Sequence, residues 1–267
     1  MDLHYQEYGD TTAPLMVFLH GGGVSSWMWD KQVHYFSQYH CLAPELPGHG
    51  KSATIPFSIK DSAERVITLI EEKSKGKKVI LVGFSLGAQI IVQLLSMKPD
   101  LVDIAIINSV LVRPMTYARK WIQPTIKLSA PLIKKKWFAK LQAKTLYVGD
   151  DYFDKYYNES SQMTADTLTR VLEENMSFSI PANFKNASAK ILVTVGEQEK
   201  SIMKKSANDL VKANQNSRGI LIPNTGHGVS MAMPDYFNRM VETWINEEEV
   251  PKDCQLVAPI PEVTVGK

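Results

Sequence analysis

A short apolar strand that turns sharply into a helix constrains the fold of this chain more than any other feature. Residues 79–82 form a β-branched run typical of a fully buried strand, and residues 86–97 are apolar at helical spacing. Between them, Gly83, Ser85 and Gly87 are spaced as Gly-x-Ser-x-Gly. Such a turn forces its corner residue into a strained backbone conformation, and side chains at the flanking positions would collide with the neighbouring strand and helix. The segment therefore predicts a strand–turn–helix unit.

Ser85, at the corner of this turn, is a candidate nucleophile. The turn lifts its Oγ atom out of the sheet, and the N-terminal N–H groups of the following helix point at the same place. The spacing alone recurs by chance, but here it has the preceding strand and following helix that the motif requires. The alternative interpretation is a glycine-flanked serine in an ordinary turn.

Strands alternate with helices along most of the chain. The second predicted helix has Asp61 as its N-cap, with Glu64 completing a capping box. The alternation favours the α/β class, with a doubly wound, mostly parallel sheet. Strands are predicted at residues 3–8, 15–19, 41–43, 79–82, 102–110, 191–195 and 219–222, and helices at residues 26–39, 61–75, 86–97, 201–213 and 235–246.

Two segments lie outside this alternation and divide the chain. Residues 1–110 and 190–246 are predicted to form the core. Residues 111–189 are too long for a simple connection and are rich in helix formers, which predicts a helical cap or lid. Residues 247–267 contain three prolines and no helical pattern. Their composition is typical of a flexible segment, and we expect this C-terminal extension to dock as an extended segment on its own domain or on a partner.

Charge is segregated within the predicted lid. Residues 113–144 hold nine basic and no acidic side chains, with Trp121, Trp137 and Phe138 among them. Residues 145–176 hold seven acidic side chains against two basic ones. One interpretation is a surface that attracts anionic substrates or a membrane interface. The other is a solvated face that is balanced by its acidic neighbour.

The bulk composition excludes several classes of function. A net charge of +2 gives no sign of nucleic-acid binding, and no apolar run approaches the roughly 18 residues of a membrane span. Cys41 and Cys254 make neither a disulfide framework nor a metal cluster, so we expect a reducing compartment. The sequence therefore predicts a cytoplasmic protein without a metal site or stable membrane insertion.

His227 is the candidate base. A serine hydroxyl is a weak nucleophile at neutral pH and needs an adjacent base, which in turn needs an orienting acid. His227 stands between two glycines in the loop directly after the last predicted strand of the core. His20 and His49 are predicted to brace loops by hydrogen bonds. The remaining histidines lack such a context; they are His4, His34 and His40.

The acid should close the strand at residues 191–195, where two carboxylates compete. Glu197 and Glu199 lie two residues apart, and their position alone leaves both open. The developing oxyanion needs two preorganised N–H donors. Leu86, the residue after the candidate nucleophile, supplies one of them at the helix N-terminus.

Four motifs together resemble those of the α/β-hydrolase family, over residues 3–246. Their chain order of nucleophile, acid and histidine is that of the family. The resemblance implies the α/β-hydrolase fold, with a helical lid inserted after the strand that follows the nucleophile helix. The motifs are Leu19-His20-Gly21-Gly22-Gly23, Pro44-x-x-Pro47-Gly48-His49-Gly50-Lys51-Ser52, Gly83-Phe84-Ser85-Leu86-Gly87 and Gly226-His227.

The resemblance also implies roles for further residues. The family commonly places its acid three residues after the glycine in a Gly-Glu-x-Asp pattern, which favours Glu199 over Glu197, with Glu standing in place of Asp. The second oxyanion donor falls on the N–H of Gly22, with Gly23 as the next candidate. Gly23, Trp27 and Phe84 are the predicted wall of the substrate pocket. For Trp27 and Phe84, as for Met28, burial in the core is the alternative interpretation.

A serine hydrolase is the function that this resemblance implies. Its simplest form is a carboxylesterase that acts on small or medium acyl esters through an acyl-enzyme, with no cofactor, as a monomer or homodimer. One alternative keeps the same residues but acts on an anionic small molecule, as a carbon–carbon bond hydrolase, a lactonase or a lyase. Another is a protein that binds a ligand without turning it over.

Overall fold

The computed structural model describes residues 3–257, apart from the side chains of residues 116, 118, 119, 127 and 130. Within that range eight strands form one sheet in the order β1-β3-β2-β4-β5-β6-β7-β8. The strands are Tyr5–Tyr8 (β1), Leu15–Leu19 (β2), His40–Pro44 (β3), Val79–Phe84 (β4), Ile104–Asn108 (β5), Lys190–Gly196 (β6), Ser217–Ile222 (β7) and Gln255–Leu256 (β8). Strands β2 to β7 are parallel, whereas β1 and β8 pair antiparallel at the two edges.

Helices cover both faces of this sheet, which confirms the predicted doubly wound α/β class. The helices are Asp30–Tyr35 (α1), Ile59–Ser74 (α2), Leu86–Met97 (α3), Thr116–Ile133 (α4), Lys136–Thr145 (α5), Asp150–Ser160 (α6), Ala165–Ser177 (α7), Ser201–Ala213 (α8), Val229–Ala232 (α9) and Pro234–Glu247 (α10).

The apolar core consists of two layers, one on each side of the sheet. Alternate residues of β2 show the division, because successive side chains of a strand point to opposite faces. Leu15 and Val17 pack in a cluster with buried residues of α2, α3 and α8. Met16 and Phe18 pack in a second cluster with residues of α1 and α10. Burial on both faces explains why these strands are continuous apolar runs in the sequence.

Two predicted helices differ from the observed ones. The first begins as a 3₁₀ turn at Ser26–Trp29 and ends at Tyr35, four residues earlier than predicted. In α2 the N-cap is Ser58, whose hydroxyl accepts the N–H of Asp61, so the prediction of Asp61 as N-cap is wrong. Asp61 lies inside the first turn and its carboxylate pairs with Arg65 at 2.7 Å.

Helices α4 to α7 all lie between β5 and β6, within residues 111–189. The two ends of this insertion meet where the N–H of Met115 donates to the carbonyl of Met176 at 2.7 Å. A reciprocal amide pair ties it to α3: the Gln89 side chain donates to the backbone carbonyl of Asn175 at 3.0 Å and accepts from the Asn175 side chain at 2.9 Å. The insertion is therefore fastened directly to the helix that follows Ser85.

Part of the C-terminal extension docks on its own sheet. Leu256 pairs with Ile220 and Gln255 with Leu221, which makes β8 an antiparallel edge strand beside β7. The rest of the extension, residues 258–267, lies outside the described residues.

Both cysteines are free thiols, with Cys41 buried and Cys254 partly exposed. No helix within residues 3–257 has the length and apolar character needed to cross a bilayer.

Candidate active site

Four loops converge at the carboxyl edge of the parallel strands. They follow β2, β4, β6 and β7, and carry Gly22, Ser85, Glu199 and His227 respectively. The carboxyl ends of parallel strands meet at one edge of a sheet, which is where ligands bind in open α/β sheets. The sheet order places β4 beside β2, with β5, β6 and β7 following on its other side. The topology thus assembles side chains that are far apart in sequence.

The turn between β4 and α3 has the strained geometry that the sequence predicts. Ser85 has φ 51° and ψ −106°, a conformation that side-chain-bearing residues rarely adopt. A Cβ atom on Gly87 would lie 2.2 Å from the carbonyl oxygen of Leu19, and one on Gly83 would lie 2.8 Å from the carbonyl oxygen of Gly87. Both positions therefore require glycine: Gly87 because it lies against the neighbouring strand β2, and Gly83 because it lies against the following helix α3.

A continuous chain of hydrogen bonds links Ser85, His227 and Glu199. The Nε2 atom of His227 lies 3.1 Å from Ser85 Oγ, and its Nδ1 atom lies 2.7 Å from Glu199 Oε2. When the proton is on Nδ1, His227 donates a hydrogen bond to the Glu199 carboxylate, and its Nε2 atom accepts a hydrogen bond from the Ser85 hydroxyl. The imidazole is about one-third exposed, whereas the Glu199 side chain is almost wholly buried. This arrangement can remove a proton from Ser85 and stabilise the resulting imidazolium.

The carboxylate of Glu199 is held from several sides. Its Oε1 atom accepts the Gly196 N–H at 2.9 Å and the Ser109 hydroxyl at 2.8 Å. Burial by itself would raise the pKa of Glu199, but the hydrogen bonds from His227, Gly196 and Ser109 outweigh burial and hold that pKa below its ordinary value. Glu199 is therefore ionised at neutral pH in spite of its burial.

Glu197, the competing acid, faces elsewhere. Its exposed carboxylate accepts the N–H of Asn224 at 2.9 Å, on the loop before His227. The N–H of Glu197 itself donates to the carbonyl of Ile222, and that of Gln198 to Thr225, so the loops after β6 and β7 are joined. The structure thus brings Glu199, and not Glu197, into contact with His227.

Ser109 is a site residue that the sequence reasoning missed. It follows β5 with φ 54°, and its N–H donates to the carbonyl of Thr194 at 2.8 Å. Its hydroxyl has one proton, and the acceptor-only carboxylate of Glu199 requires it. Asn108 Oδ1 lies 2.6 Å from the same hydroxyl, which has no second proton to donate. We therefore assign the Asn108 amide the opposite orientation, in which its nitrogen, otherwise unpaired, donates to the Ser109 oxygen. The polar pair Asn108-Ser109 closing an apolar strand was the available signal.

Two buried histidines brace the loop after β2, as predicted. His20 donates from Nδ1 to the carbonyl of Gly21 at 2.7 Å and accepts the Leu46 N–H at 3.0 Å. His49 donates from Nδ1 to the carbonyl of Pro47 at 2.9 Å and accepts the Gly23 N–H at 3.2 Å. These pairings need neutral imidazoles.

Burial keeps both of these histidines uncharged. Burial, together with the neighbouring His49 ring, lowers the pKa of His20 to about 3. Burial lowers the pKa of His49 to about 4. Because His49 takes the N–H of Gly23, that group is not free to bind a substrate oxygen. Within residues 3–257 the N–H groups of Gly22 and Leu86 have no hydrogen-bond acceptor, and both residues line the same cavity as Ser85.

A cavity of about 370 Å³ opens on Ser85. Its polar groups besides Ser85 are amides and hydroxyls, and no charged side chain lies among its described lining residues. Helices α5, α6 and α7 of the insertion supply most of its wall. The lining residues are Gly22, Gly23, Ser85, Leu86, Gln142, Thr145, Leu146, Tyr156, Leu168, Val171, Leu172 and Asn175.

The structure does not place Trp27 or Phe84 on the wall of this cavity. Trp27 is buried; its indole N–H donates to Glu159 at 2.8 Å and its ring stacks on Tyr152. Phe84 is buried as well, and its ring packs against the imidazole of His227 with centroids 5.0 Å apart. Of the three predicted pocket residues, only Gly23 lines the cavity.

Tyr147, between α5 and α6, also contacts the candidate site. A Cβ atom on Gly226 would lie 2.4 Å from its hydroxyl oxygen, and one on Gly228 would lie 2.8 Å from its ring. The glycines beside His227 thus make room for this tyrosine. Within residues 3–257 no group of three or more His, Cys, Asp or Glu side chains is arranged to hold a metal ion.

Comparison with known proteins agrees with this architecture. The model of a family described as the alpha/beta hydrolase family matches residues 16–240. The (E)-2-((N-methylformamido)methylene)succinate hydrolase of Acinetobacter baylyi is 24% identical over 253 residues, covering 91% of this chain and 93% of that protein. An esterase of Mycobacterium tuberculosis is 36% identical over 94 residues, covering 34% of this chain and 31% of the esterase. The structure of the enol-lactonase from Burkholderia xenovorans LB400 superposes with a TM-score of 0.73 at 18% identity, covering 92% of this chain and 96% of that one.

The chain belongs to the alpha/beta hydrolase family. This confirms the resemblance drawn from the sequence motifs. The three similar proteins are named for three different activities, so family membership supports a hydrolase without choosing its substrate.

Proposed function

We propose that this protein is a serine carboxylesterase that hydrolyses esters of small or medium, uncharged acyl groups. The observation that carries the proposal is the hydrogen-bonded chain from Ser85 Oγ through His227 to Glu199, with distances of 3.1 and 2.7 Å. Nucleophile, base and acid are within the reach that acyl transfer requires, before any substrate is bound.

In the first half of the proposed reaction, Ser85 Oγ attacks the ester carbonyl while His227 Nε2 takes the hydroxyl proton. Glu199 holds the imidazole in the right tautomer and stabilises its positive charge. The Gly22 and Leu86 N–H groups donate to the oxyanion. When the tetrahedral intermediate collapses, His227 returns the proton to the departing alcohol and the acyl group stays on Ser85.

In the second half, a water molecule attacks the acyl-enzyme. His227 takes a proton from the water, the oxyanion forms again in the same place, and collapse releases the carboxylic acid. The proton then returns to Ser85 Oγ. The reaction consumes one ester and one water and leaves the protein unchanged.

The cavity supports an uncharged substrate. Its described lining holds neutral amides, hydroxyls and apolar side chains, and a carboxylate buried there would find no cation among them. We propose that α4 to α7 act as the lid, since Leu168, Val171 and Leu172 of α7 form the apolar side of the cavity. The acyl chain would lie against these residues.

Action on an anionic small molecule is the second candidate. It is favoured by the similarity to the succinate-derivative hydrolase of Acinetobacter baylyi, which extends over 91% of this chain. In this case the same residues would cleave a carbon–carbon bond, open a lactone or eliminate a small acid. The absence of a cation from the described cavity lining argues against it.

A series of p-nitrophenyl esters, from acetate to decanoate, separates these candidates. The esterase proposal predicts hydrolysis well above the background rate for the shorter chains, lost in Ser85→Ala. If the folded wild type leaves every ester at the background rate, the esterase proposal is wrong. Competition by dicarboxylates, tested in the same assay, would favour the second candidate.

We propose a cytoplasmic location, which the free thiols of Cys41 and Cys254 support. A monomer or a homodimer, bound to no nucleic acid, is the assembly that we propose.

A further inference from the structure

Helix α4 is apolar on two opposite faces. Its inner face buries Ile122, Ile126 and Ile133 against the rest of the protein. Its outer face carries Tyr117, Trp121, Leu128 and Leu132. At about 100° of rotation per residue, these four side chains fall within about 60° of one another around the helix axis. A helix of a soluble protein normally presents polar residues opposite its buried face. We therefore expect this second apolar stripe to be buried against another surface.

Helix α5 has the same two-sided pattern. Ala139 and Ala143 are buried, whereas Trp137 and Leu141, one turn apart, are exposed. We call the exposed apolar side chains of α4 and α5 the outer lid face. Five of them expose between 60% and 88% of their surface and Leu132 exposes 37%. The face consists of Tyr117, Trp121, Leu128, Leu132, Trp137 and Leu141.

Lysines without a carboxylate partner are interspersed with these apolar side chains. Two of them, Lys136 and Lys140, lie over the rings of Tyr157 and Phe153 of α6, at 5.4 and 5.7 Å. Within the described part of the chain, no carboxylate lies within ion-pair distance of the exposed lysines at positions 120, 134, 135, 136, 140 and 144. Arg113, at the start of the basic segment, does pair, and its partner is Asp209 of α8. No described ion pair joins the basic residues 113–144 to the acidic residues 145–176. Within the described residues, the basic segment and its acidic neighbour therefore contact each other without a direct ion pair.

We propose that the outer lid face docks on the anionic surface of a lipid bilayer. Exposed tryptophan and tyrosine side chains suit the boundary between headgroups and acyl chains, where the apolar ring is buried and the polar edge stays wet. Lysines extend their stems along apolar surface and keep their ammonium groups at headgroup level, where anionic lipids attract them. The docking is peripheral, with the helices lying in the plane of the interface.

Charge distinguishes this occupant from a second copy of the chain. A twofold dimer through the outer lid face would place the same surface on both sides of the contact. Residues 113–144 carry nine basic and no acidic residues, so two such faces would repel each other. An anionic bilayer supplies both partners that the face lacks, a negative surface for the lysines and an apolar layer for the aromatic side chains.

Docking in this orientation would bring the candidate active site close to the bilayer. Gln142, Thr145 and Leu146 line the cavity that opens on Ser85, and the first two belong to α5, whose exposed side carries Trp137 and Leu141. A substrate that partitions into the membrane would then be delivered near the cavity. The docking itself does not depend on which bond the enzyme cleaves.

Flotation with lipid vesicles tests the proposal on the full-length protein. Vesicles of phosphatidylcholine alone are compared with vesicles that also contain phosphatidylserine, at low and at high salt. We expect binding that needs phosphatidylserine, weakens with salt, and shifts tryptophan emission to shorter wavelength. The double variant Trp121→Ala/Trp137→Ala and the charge variant Lys134→Glu/Lys135→Glu should each bind at least about tenfold more weakly.

Matched substitutions on another surface provide the control. Lys185 and Lys205 are exposed lysines far from α4 and α5 in sequence, and Lys185→Glu/Lys205→Glu should bind vesicles like the wild type. Thermal unfolding shows whether each variant is folded; exposed side chains at these positions should leave it nearly unchanged. Absence of binding to phosphatidylserine vesicles, or equal losses in the control and the lid variants, would overturn the proposal. So would a dimer in sedimentation velocity that the double tryptophan variant abolishes, because a second copy would then cover the outer lid face.

Discussion

The Nδ1 atom of His227 lies 2.7 Å from Oε2 of Glu199, although the two residues are 28 positions apart in the sequence. The contact forms because the loops after β6 and β7 are joined through their backbones, and it leaves Glu197 on the outer side of its loop. The same carboxylate also accepts hydrogen bonds from Gly196 and Ser109. Its position is therefore held by these two contacts as well as by the histidine, and the hydrogen bond from His227 contributes most to lowering its pKa.

Replacement of Glu199 by glutamine should lower kcat by several orders of magnitude, about 10⁴-fold. The amide can donate to Nδ1, which favours the tautomer that cannot accept the serine proton. Hydrolysis of p-nitrophenyl butyrate measures the effect. Glu197→Gln is the matched control and should change kcat by no more than about twofold, since an exposed carboxylate that caps a loop contributes little. A larger loss in Glu197→Gln than in Glu199→Gln would show that the acid is misassigned.

Removal of the Ser109 hydroxyl should lower kcat by about tenfold with little change in KM. The hydroxyl donates to the carboxylate that orients His227, and hydrogen bonds to charged groups are the stronger ones. Ser109 has φ 54°, so Ser109→Ala and Ser109→Gly separate the hydroxyl from the backbone. Both variants lack the hydroxyl, and glycine also relieves the strain. Wild-type kcat in the glycine variant would contradict the positioning role.

The stability of the protein should fall as the pH drops from about 7 to about 5. Burial lowers the pKa of His49 from 6.5 to about 4, and burial with the His49 ring lowers that of His20 to about 3. Below about pH 6.5 the unfolded chain therefore binds protons that the folded chain excludes, at a cost of about 1.4 kcal/mol per pH unit for each histidine. The contribution of these two histidines to the free energy of unfolding is therefore fully present above pH 6.5 and is lost as the pH falls towards 4.

Urea unfolding at several pH values checks this dependence. In His49→Gln the slope of the unfolding free energy against pH should be about half that of the wild type, because one of the two titrations is gone. Equal slopes in His49→Gln and the wild type would mean that His49 is already charged in the folded protein.

The length of the preferred acyl chain should depend on α7. Leu172 lines the cavity of about 370 Å³, so Leu172→Trp should reduce kcat/KM for p-nitrophenyl octanoate at least about tenfold more than for the acetate. Leu256→Trp enlarges an exposed apolar side chain of β8 and is the control. A uniform loss over all chain lengths in Leu172→Trp would indicate that the acyl group lies elsewhere.

A feature of the site can be predicted from the sequence when the residues that determine it lie close together in the chain. The Ser85 turn could be predicted because Gly83 and Gly87, which permit its backbone approaches, lie within two residues of it. The fold class followed from the alternation of elements and from strands that are apolar on both faces. The choice between Glu197 and Glu199 could not be made from position alone, since it depends on hydrogen bonds to residues 222–225 of another loop.

The residues whose observed positions differ from the predicted ones have hydrogen-bond partners far away in the sequence, or compete with a neighbour for the same role. Trp27 was expected on the pocket wall, but its indole is turned towards Glu159, 132 residues away in the insertion. Aspartate is a favoured N-cap residue, but Ser58, three residues earlier, is also one. In the structure the Ser58 hydroxyl accepts the N–H of Asp61, which makes Ser58 the N-cap. Packing and register decide such cases, and neither is visible in a short window of sequence.

Labelling with a fluorophosphonate probe, followed by peptide mapping, shows whether Ser85 is the activated nucleophile. The probe reacts covalently with a serine that an adjacent base has activated. We expect one equivalent of label on Ser85 in the wild type, none in Ser85→Ala, and strongly slowed labelling in His227→Ala. Folded wild-type protein that takes no label, or that takes it on a residue other than Ser85, would show that Ser85 is not the nucleophile.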